Sequence, residues 1–223
     1  ANPLGKHGQL AFVYPGSGTA YPGIGQSLFQ LFPELHDYFG GLVDDIHQYA
    51  RPDRIFPPTV SNEASNQPPL KDDAIALMSV GVFYAAAYTH ILRNYFNVEP
   101  DIAMGYSMGE CSSMWYALGM WDPRNAKVFQ GSPIFKNRFA GRLELLAEAW
   151  GISTDEAVSR WVSYSVLAPQ TKVAEVVARY ERVYITFINT EAEVVIAGDK
   201  VACQAVLAEL GTQYVQLPFQ NII

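Results

Sequence analysis

The chain is short of histidine where a histidine would be most informative. Its four histidines are His7, His36, His47 and His90, and none follows the Gly-x-Ser-x-Gly pentapeptide at 105–109. Cysteine is nearly missing. Cys111 and Cys203 are the only two, with neither metal-ligand spacing nor a disulfide framework, which points to a reducing cytoplasm and to no metal site. Positive charge is scarce, with 15 Lys and Arg against 22 Asp and Glu and a net charge of −7. No basic stripe is present to neutralise phosphates, which argues against nucleic acid as a partner. No apolar h-region marks the opening "ANPLGKHGQ" as a signal peptide. The only long hydrophobic run, at 74–92, contains Ser79, Thr89, His90 and two tyrosines and is flanked by charges. It reads as a buried core helix and not as a membrane span. Hydrophobic residues at 49% and charged residues at 17% are ordinary for a globular chain, so disorder is not expected.

What is present alternates between strand and helix. The apolar run Leu10–Tyr14 suits a buried strand, broken by Pro15, Gly16 and Gly18 into a tight loop. Helical spacing follows at Leu28, Leu31 and Phe32 and again at Leu35, Tyr38 and Phe39, with Pro33 at the junction. The stretch 51–70 is rich in Pro, Asn and Ser and reads as a surface loop, and the core helix is expected over 73–95. A short strand then leads into Ser107 and a helix that ends near Gly119, and Asp122 with Pro123 reads as the cap of another helix. This alternation implies a parallel sheet. From Trp161 the rhythm changes to strand, helix, two strands turning at Asn189–Thr190, a helix closed by Gly211, and a last strand. That order, βαββαβ, is the split βαβ arrangement.

The chemistry centres on Ser107. A serine between a strand and a helix is pushed out of the sheet by the sharp turn, and Gly105 and Gly109 let that turn pack closely. The Met108 backbone N–H is then placed to stabilise an oxyanion. The loop "YPGSGTAY" is the second wall, where glycines bring the backbone close to a ligand and the Ser17 N–H becomes a second donor. It contains neither a Walker-type lysine nor G-x-G-x-x-G, so phosphate binding is not indicated. Trp115, Tyr116 and Trp121 read as packing residues, and Cys111 as a small apolar residue.

Three segments, "FVYPGSGTAYPGIG", "GYSMGECSSMWYALGMWD" and "ITFINTEAEVVIAGDKVACQAVLAEL", stand in an order that resembles the acyltransferase domains of fatty-acid and polyketide synthases. The similarity is to the malonyl-CoA:acyl-carrier-protein transacylase type, and in character it is nearest to the acyltransferases of polyunsaturated-fatty-acid synthases. The resemblance implies an α/β fold. An α/β-hydrolase-like parallel-sheet core at 1–160 would carry the elbow, a ferredoxin-like subdomain (βαββαβ) would occupy 161–218, and 219–223 would begin the return to the core. The family's C-terminal part would be missing from this sequence.

The same resemblance implies a Ser107 acyl-enzyme that takes an acyl group from acyl-CoA and passes it to an acyl-carrier-protein phosphopantetheine thiol. No bound cofactor is implied. The partners would be the carrier protein and neighbouring synthase domains such as a ketosynthase. Ser17 and Met108 become the oxyanion donors, and Gly16, Tyr106, Ser132 and Asn189 line the substrate side. Tyr106 stands where the family usually has histidine. Ser132 and Pro133 stand where malonyl-specific members carry an arginine, with Arg138 and Arg142 out of register, so a non-carboxylated acyl group is expected. The family's catalytic histidine would follow Ile223, so the chain as given is expected to lack its base and most of its rate. A serine hydrolase or thioesterase and a catalytically silent docking module are the competing readings. Covalent chemistry at Ser107 separates all three.

Overall fold

The apolar run forms β1 (Ala11–Tyr14), which pairs in parallel with β2 (Ile102–Gly105), Tyr14 opposite Gly105. The structure, a computed structural model, describes residues 8–56, 70, 73–114, 119, 131–218 and 221–222. Parallel neighbours need a long crossover between them, and the intervening chain supplies helices. These are α1 (Leu28–Leu31), α2 (Leu35–Leu42), α3 (Ile46–Ala50), α4 (Pro52–Ile55) and α5 (Ala74–Asn94). Pro33 falls between α1 and α2, where it removes no helical hydrogen bond. The Asp73 side chain accepts from the Ala76 N–H and so starts α5 within a residue of the expected place.

Helix α5 is long and apolar enough to cross a bilayer by length and composition, and more than half of that window is buried within the protein. Leu77, Val80, Phe83, Tyr84, Ala87 and Ile91 pack there with Leu35 and Phe39 of α2 and Tyr49 of α3. One polar contact ties the strands to this core: the Tyr14 hydroxyl lies 2.8 Å from Thr89 Oγ1. Burial raises the phenol's pKa, so it stays neutral in that contact. Of the loop expected over 51–70, Pro52–Ile55 form α4 instead, with Pro52 at its first turn, where a missing N–H costs no helical bond; 57–69, the Asp122 cap, Trp115, Tyr116, Trp121, His7 and the Cys111 side chain lie outside the described residues.

The chain divides into two compact units, 1–130 and 131–223. In the second, β3 (Trp161–Val166), β4 (Val183–Thr190), β5 (Glu193–Asp199) and β6 (Tyr214–Gln216) form an antiparallel sheet in the order β4-β5-β3-β6. Two further pairs of helices enclose it: α6 (Glu144–Trp150) with α7 (Thr154–Arg160), and α8 (Gln170–Val177) with α9 (Lys200–Leu210). The strands alternate with period two. Val162, Tyr164 and Val166 of β3 and Ile196 of β5 face α8 and α9. Trp161 and Ala197 meet Leu146, Ala147 and Trp150 on the other side. This second layer is why α6 and α7, assigned by sequence to the first domain, group with the sheet. The compact units divide at 130, whereas the sequence reading divides the chain at 160.

The β4–β5 turn falls at Glu191–Ala192, two residues later than the sequence indicates. The register shifts between Ile188 and Thr190, so Asn189 is the extra residue of a bulge inside β4 and not a turn residue. The end of α9 is where it was expected: Gly211 has φ +59, a left-handed cap that glycine takes without steric cost.

Candidate active site

Ser107 has φ +53, a region uncommon for a residue with a Cβ and therefore one that its surroundings must enforce. Three backbone bonds do so. The Tyr106 N–H donates to the Tyr14 carbonyl (2.9 Å), continuing the β1–β2 ladder into the turn. The Gly109 N–H donates to the Tyr106 carbonyl (2.9 Å) and the Glu110 N–H to the Ser107 carbonyl (3.0 Å), closing the turn onto the helix. That helix is widened over Gly109–Ser113 into a π-helical turn, a form that recurs at functional sites. Ser107 itself is exposed.

The two flanking glycines are steric requirements. A Cβ on Gly105 would lie 2.1 Å from the Glu110 nitrogen, and one on Gly109 would lie 2.3 Å from the Tyr14 carbonyl oxygen. The Gly16 loop closes over the elbow from the β1 side. A Cβ there would lie 3.2 Å from Tyr106 Cδ1 and 3.4 Å from Ser107 Cβ, so the loop backbone sits against the serine. Ser17–Thr19 form a single 3₁₀ turn, and the Thr19 hydroxyl donates to the Gly16 carbonyl at 3.1 Å. The Met108 side chain runs to α5, where a Cβ on Gly81 would lie 2.8 Å from its methyl group.

Five of the residues predicted from sequence, Gly16, Ser17, Tyr106, Ser107 and Met108, are thus brought together in the first unit. Ser132 and Asn189 belong to the second. Ser132 is half-buried at the start of the π-helical turn Ile134–Phe139, and its carbonyl accepts from the Lys136 N–H at 3.2 Å. The Asn189 amide donates to Glu193 Oε1 at 3.1 Å, and Ser165 Oγ donates to the same oxygen at 2.7 Å. These two donors hold the Glu193 carboxyl below the usual carboxylate range. Arg138 is committed as well: both of its terminal nitrogens reach Glu148, at 3.1 and 2.8 Å. Arg142 lies 3.8 Å from Glu144.

The histidines of the first unit have other surroundings. His90 stacks on Tyr38 with ring centroids 3.7 Å apart, and Asn94 lies 3.2 Å from its Nδ1. Burial lowers its pKa, which favours the neutral imidazole. His36 sits beside Phe29. Burial pushes the Cys203 thiol up to about 12, so it is an inert core residue. Among the described residues no group of His, Cys, Asp and Glu could hold a metal ion. Thr19 is a residue of the site that sequence reasoning passed over. Its only signal was a hydroxyl three residues after a loop glycine.

No family model matches the chain. Among curated proteins, a component of the polyunsaturated fatty acid synthase of Thraustochytrium sp. is 26% identical over 218 residues, covering 94% of this chain and 10% of that protein. Polyketide synthase GfsE of Streptomyces halstedii is 25% identical over 220 residues, covering 96% and 5%. The chain therefore spans about a tenth or less of these relatives. Among solved structures, the acyltransferase domain from the second module of the salinomycin polyketide synthase superposes with a TM-score of 0.66 at 23% identity, covering 96% of this chain and 45% of that one. The malonyl-CoA:acyl carrier protein transacylase of Xanthomonas oryzae pv. oryzae gives 0.65 at 22%, covering 94% and 61%. A type II polyketide malonyl-transacylase, solved in complex with its acyl-carrier protein, gives 0.64 at 19%, covering 94% and 62%.

Proposed function

We propose, for a chain with the fold and the motifs of the acyltransferase domains of fatty-acid and polyketide synthases, that Ser107 carries an acyl group from acyl-CoA to the phosphopantetheine thiol of an acyl carrier protein. The observation that carries this reading is the φ +53 backbone of Ser107 at the end of a parallel strand, with the Gly16 loop against it. The Ser107 hydroxyl oxygen bonds to the thioester carbonyl carbon, the C–S bond breaks, and the hydroxyl proton ends on the departing CoA thiolate. In the second half the phosphopantetheine sulfur attacks the acyl-serine ester, the C–O bond breaks, and the thiol proton returns to Ser107. Each half passes through an oxyanion, for which the Ser17 and Met108 backbone N–H groups are the donors.

His36, His47 and His90 are not proposed as the base that a serine nucleophile needs. Gly16 admits the substrate close to the backbone and Tyr106 forms an aromatic wall; the resemblance also gives Ser132 and Asn189 substrate roles. Residues 161–218 are the ferredoxin-like subdomain of an acyltransferase whose core is α/β-hydrolase-like. The scheme requires no resident cofactor. Its setting is a reducing cytoplasm, in a synthase beside domains such as a ketosynthase.

The acyl group is not malonyl. A carboxylate needs a bidentate partner. Ser132 and Pro133 supply none, and the Arg138 fork is already filled by Glu148. Incubation with acetyl-, malonyl-, medium- and long-chain acyl-CoA, read by intact mass with Ser107→Ala as control, tests both points. A non-carboxylated donor is expected to acylate Ser107 at least about tenfold faster than malonyl-CoA, and added imidazole to speed the reaction. Faster malonylation would overturn the selectivity. Release of free acid would favour a hydrolase, and no adduct with any donor, even in a longer chain that supplies the family's histidine, a docking module.

A further inference from the structure

We infer that Thr19 is a positioning residue that aims the oxyanion-stabilising N–H of Ser17. This rests on the reading of Ser107 as the nucleophile and of the Ser17 N–H as a donor to its oxyanion. The Gly16 carbonyl and the Ser17 N–H belong to one peptide unit. That unit is planar, and no cis peptide occurs among the described residues, so its C=O and N–H point in opposite directions. Fixing the carbonyl therefore fixes the N–H.

Two contacts hold this peptide. The Thr19 hydroxyl donates to the Gly16 carbonyl at 3.1 Å and so sets the rotation of the plane. The Tyr106 ring lies over the Gly16 α-carbon, where a Cβ would come within 3.2 Å of Cδ1, and so sets how close the loop comes to Ser107. The rotation matters because Gly16, which precedes this peptide, has no Cβ to restrict it. A half-buried peptide next to a glycine turns easily unless something holds its carbonyl. A threonine hydroxyl bonding to a carbonyl three residues back is also a common local turn contact. What separates an aiming role from that ordinary one is the effect on acyl transfer alone.

The experiment compares the wild-type chain with Thr19→Val, which keeps the branched shape and loses the hydroxyl, and with Thr19→Ser, which keeps the hydroxyl. Single-turnover acylation of Ser107 is followed by intact mass with acetyl-CoA and with p-nitrophenyl acetate, an activated ester that asks less of a base. Loss of a whole oxyanion donor lowers rates by about a hundred- to a thousandfold; a donor left in place but unaimed should lose roughly tenfold, within that scale. Thr19→Val is expected to show this loss at saturating donor, with the half-saturating concentration and the melting temperature unchanged. Thr19→Ser is expected to recover most of the rate. Thr19→Val acylating as fast as the wild type would overturn the inference. So would equal losses in both variants, because shape and not the hydroxyl would then matter. If the wild-type chain is acylated by neither donor even with added imidazole as base, the reading of Ser107 fails and this inference fails with it. The other two outcomes leave that reading intact.

Discussion

Gly109→Ala is expected to lower Ser107 acylation by about a hundredfold, the scale seen when reacting groups are misplaced by an ångström. The added methyl would lie 2.3 Å from the Tyr14 carbonyl oxygen and 2.6 Å from that of Pro15. Both are backbone atoms at the end of β1, so no side chain can swing aside to make room. The elbow must move away from the strand, and the Tyr106 N–H to Tyr14 carbonyl bond that seats it lengthens or breaks. Ser107 then leaves the Gly16 loop, and the two proposed oxyanion donors no longer converge. Helix propensity acts in the opposite direction, since alanine in a helix is worth up to about 1 kcal/mol over glycine. A loss of activity would therefore be steric and not a failure to form helix. Gly40→Ala is the matched control, because a Cβ there meets nothing within 4 Å on the exposed side of α2. It should leave acylation unchanged and stabilise slightly. Single-turnover acylation of both variants decides the matter. A Gly109→Ala rate within about threefold of wild type, where about 1.4 kcal/mol would be tenfold, would mean that the close approach to β1 does not position the serine.

The elbow was legible in the sequence because its requirements are local. A strand, a serine between two glycines and a following helix are all contained in 102–114, and the structure supplies the positive φ that this pattern calls for. The βαββαβ order was legible for the same reason: Gly211 and the alternation along β3 act within one element. Three features were not. Asn189 was placed in a turn, because an extra residue in a strand leaves the apolar alternation on either side nearly intact, and only pairing with Val194 and Glu193 exposes the bulge. The commitment of Arg138 to Glu148 was hidden because the two are ten residues apart across a break between helical segments. The grouping of α6 and α7 with the sheet depends on Trp150 meeting Trp161 at 6.0 Å, a contact set by which face of β3 each residue lines. Side-chain contacts that cross between elements are fixed by packing, and sequence spacing does not carry them.

The second large effect is one of stability. Asp199 ends β5 and begins α9, and its two oxygens do different work. Oδ1 accepts from the Val201 and Ala202 N–H groups at 3.0 and 3.2 Å, capping the helix. Oδ2 accepts from Arg160 Nε at 2.7 Å, and Arg160 NH2 lies 2.7 Å from the same oxygen. The carboxylate is buried, so both oxygens need these partners. Asp199→Ala removes an N-cap, worth about 1 kcal/mol, and a charge-assisted bond worth about 1.5–3 kcal/mol. A loss of about 3 kcal/mol in urea unfolding is expected. Asp199→Asn keeps a good capping residue and loses the charge, so it should lose about half as much.

Acid tests the same point with a definite sign. Burial works to raise the Asp199 pKa, but the Arg160 guanidinium and the two helix N–H groups together hold it below its ordinary value. A group depressed in the folded state contributes fully above its unfolded pKa, near 4, and loses that contribution as pH falls through the lower folded value. The stability gap between wild type and Asp199→Asn should therefore be full at about pH 6 and narrow only below about pH 4. A gap unchanged down to about pH 2 would place the loss in packing and not in the charge. An Asp199→Ala variant as stable as wild type would remove both the cap and the ion pair from the account of how β5 is joined to α9.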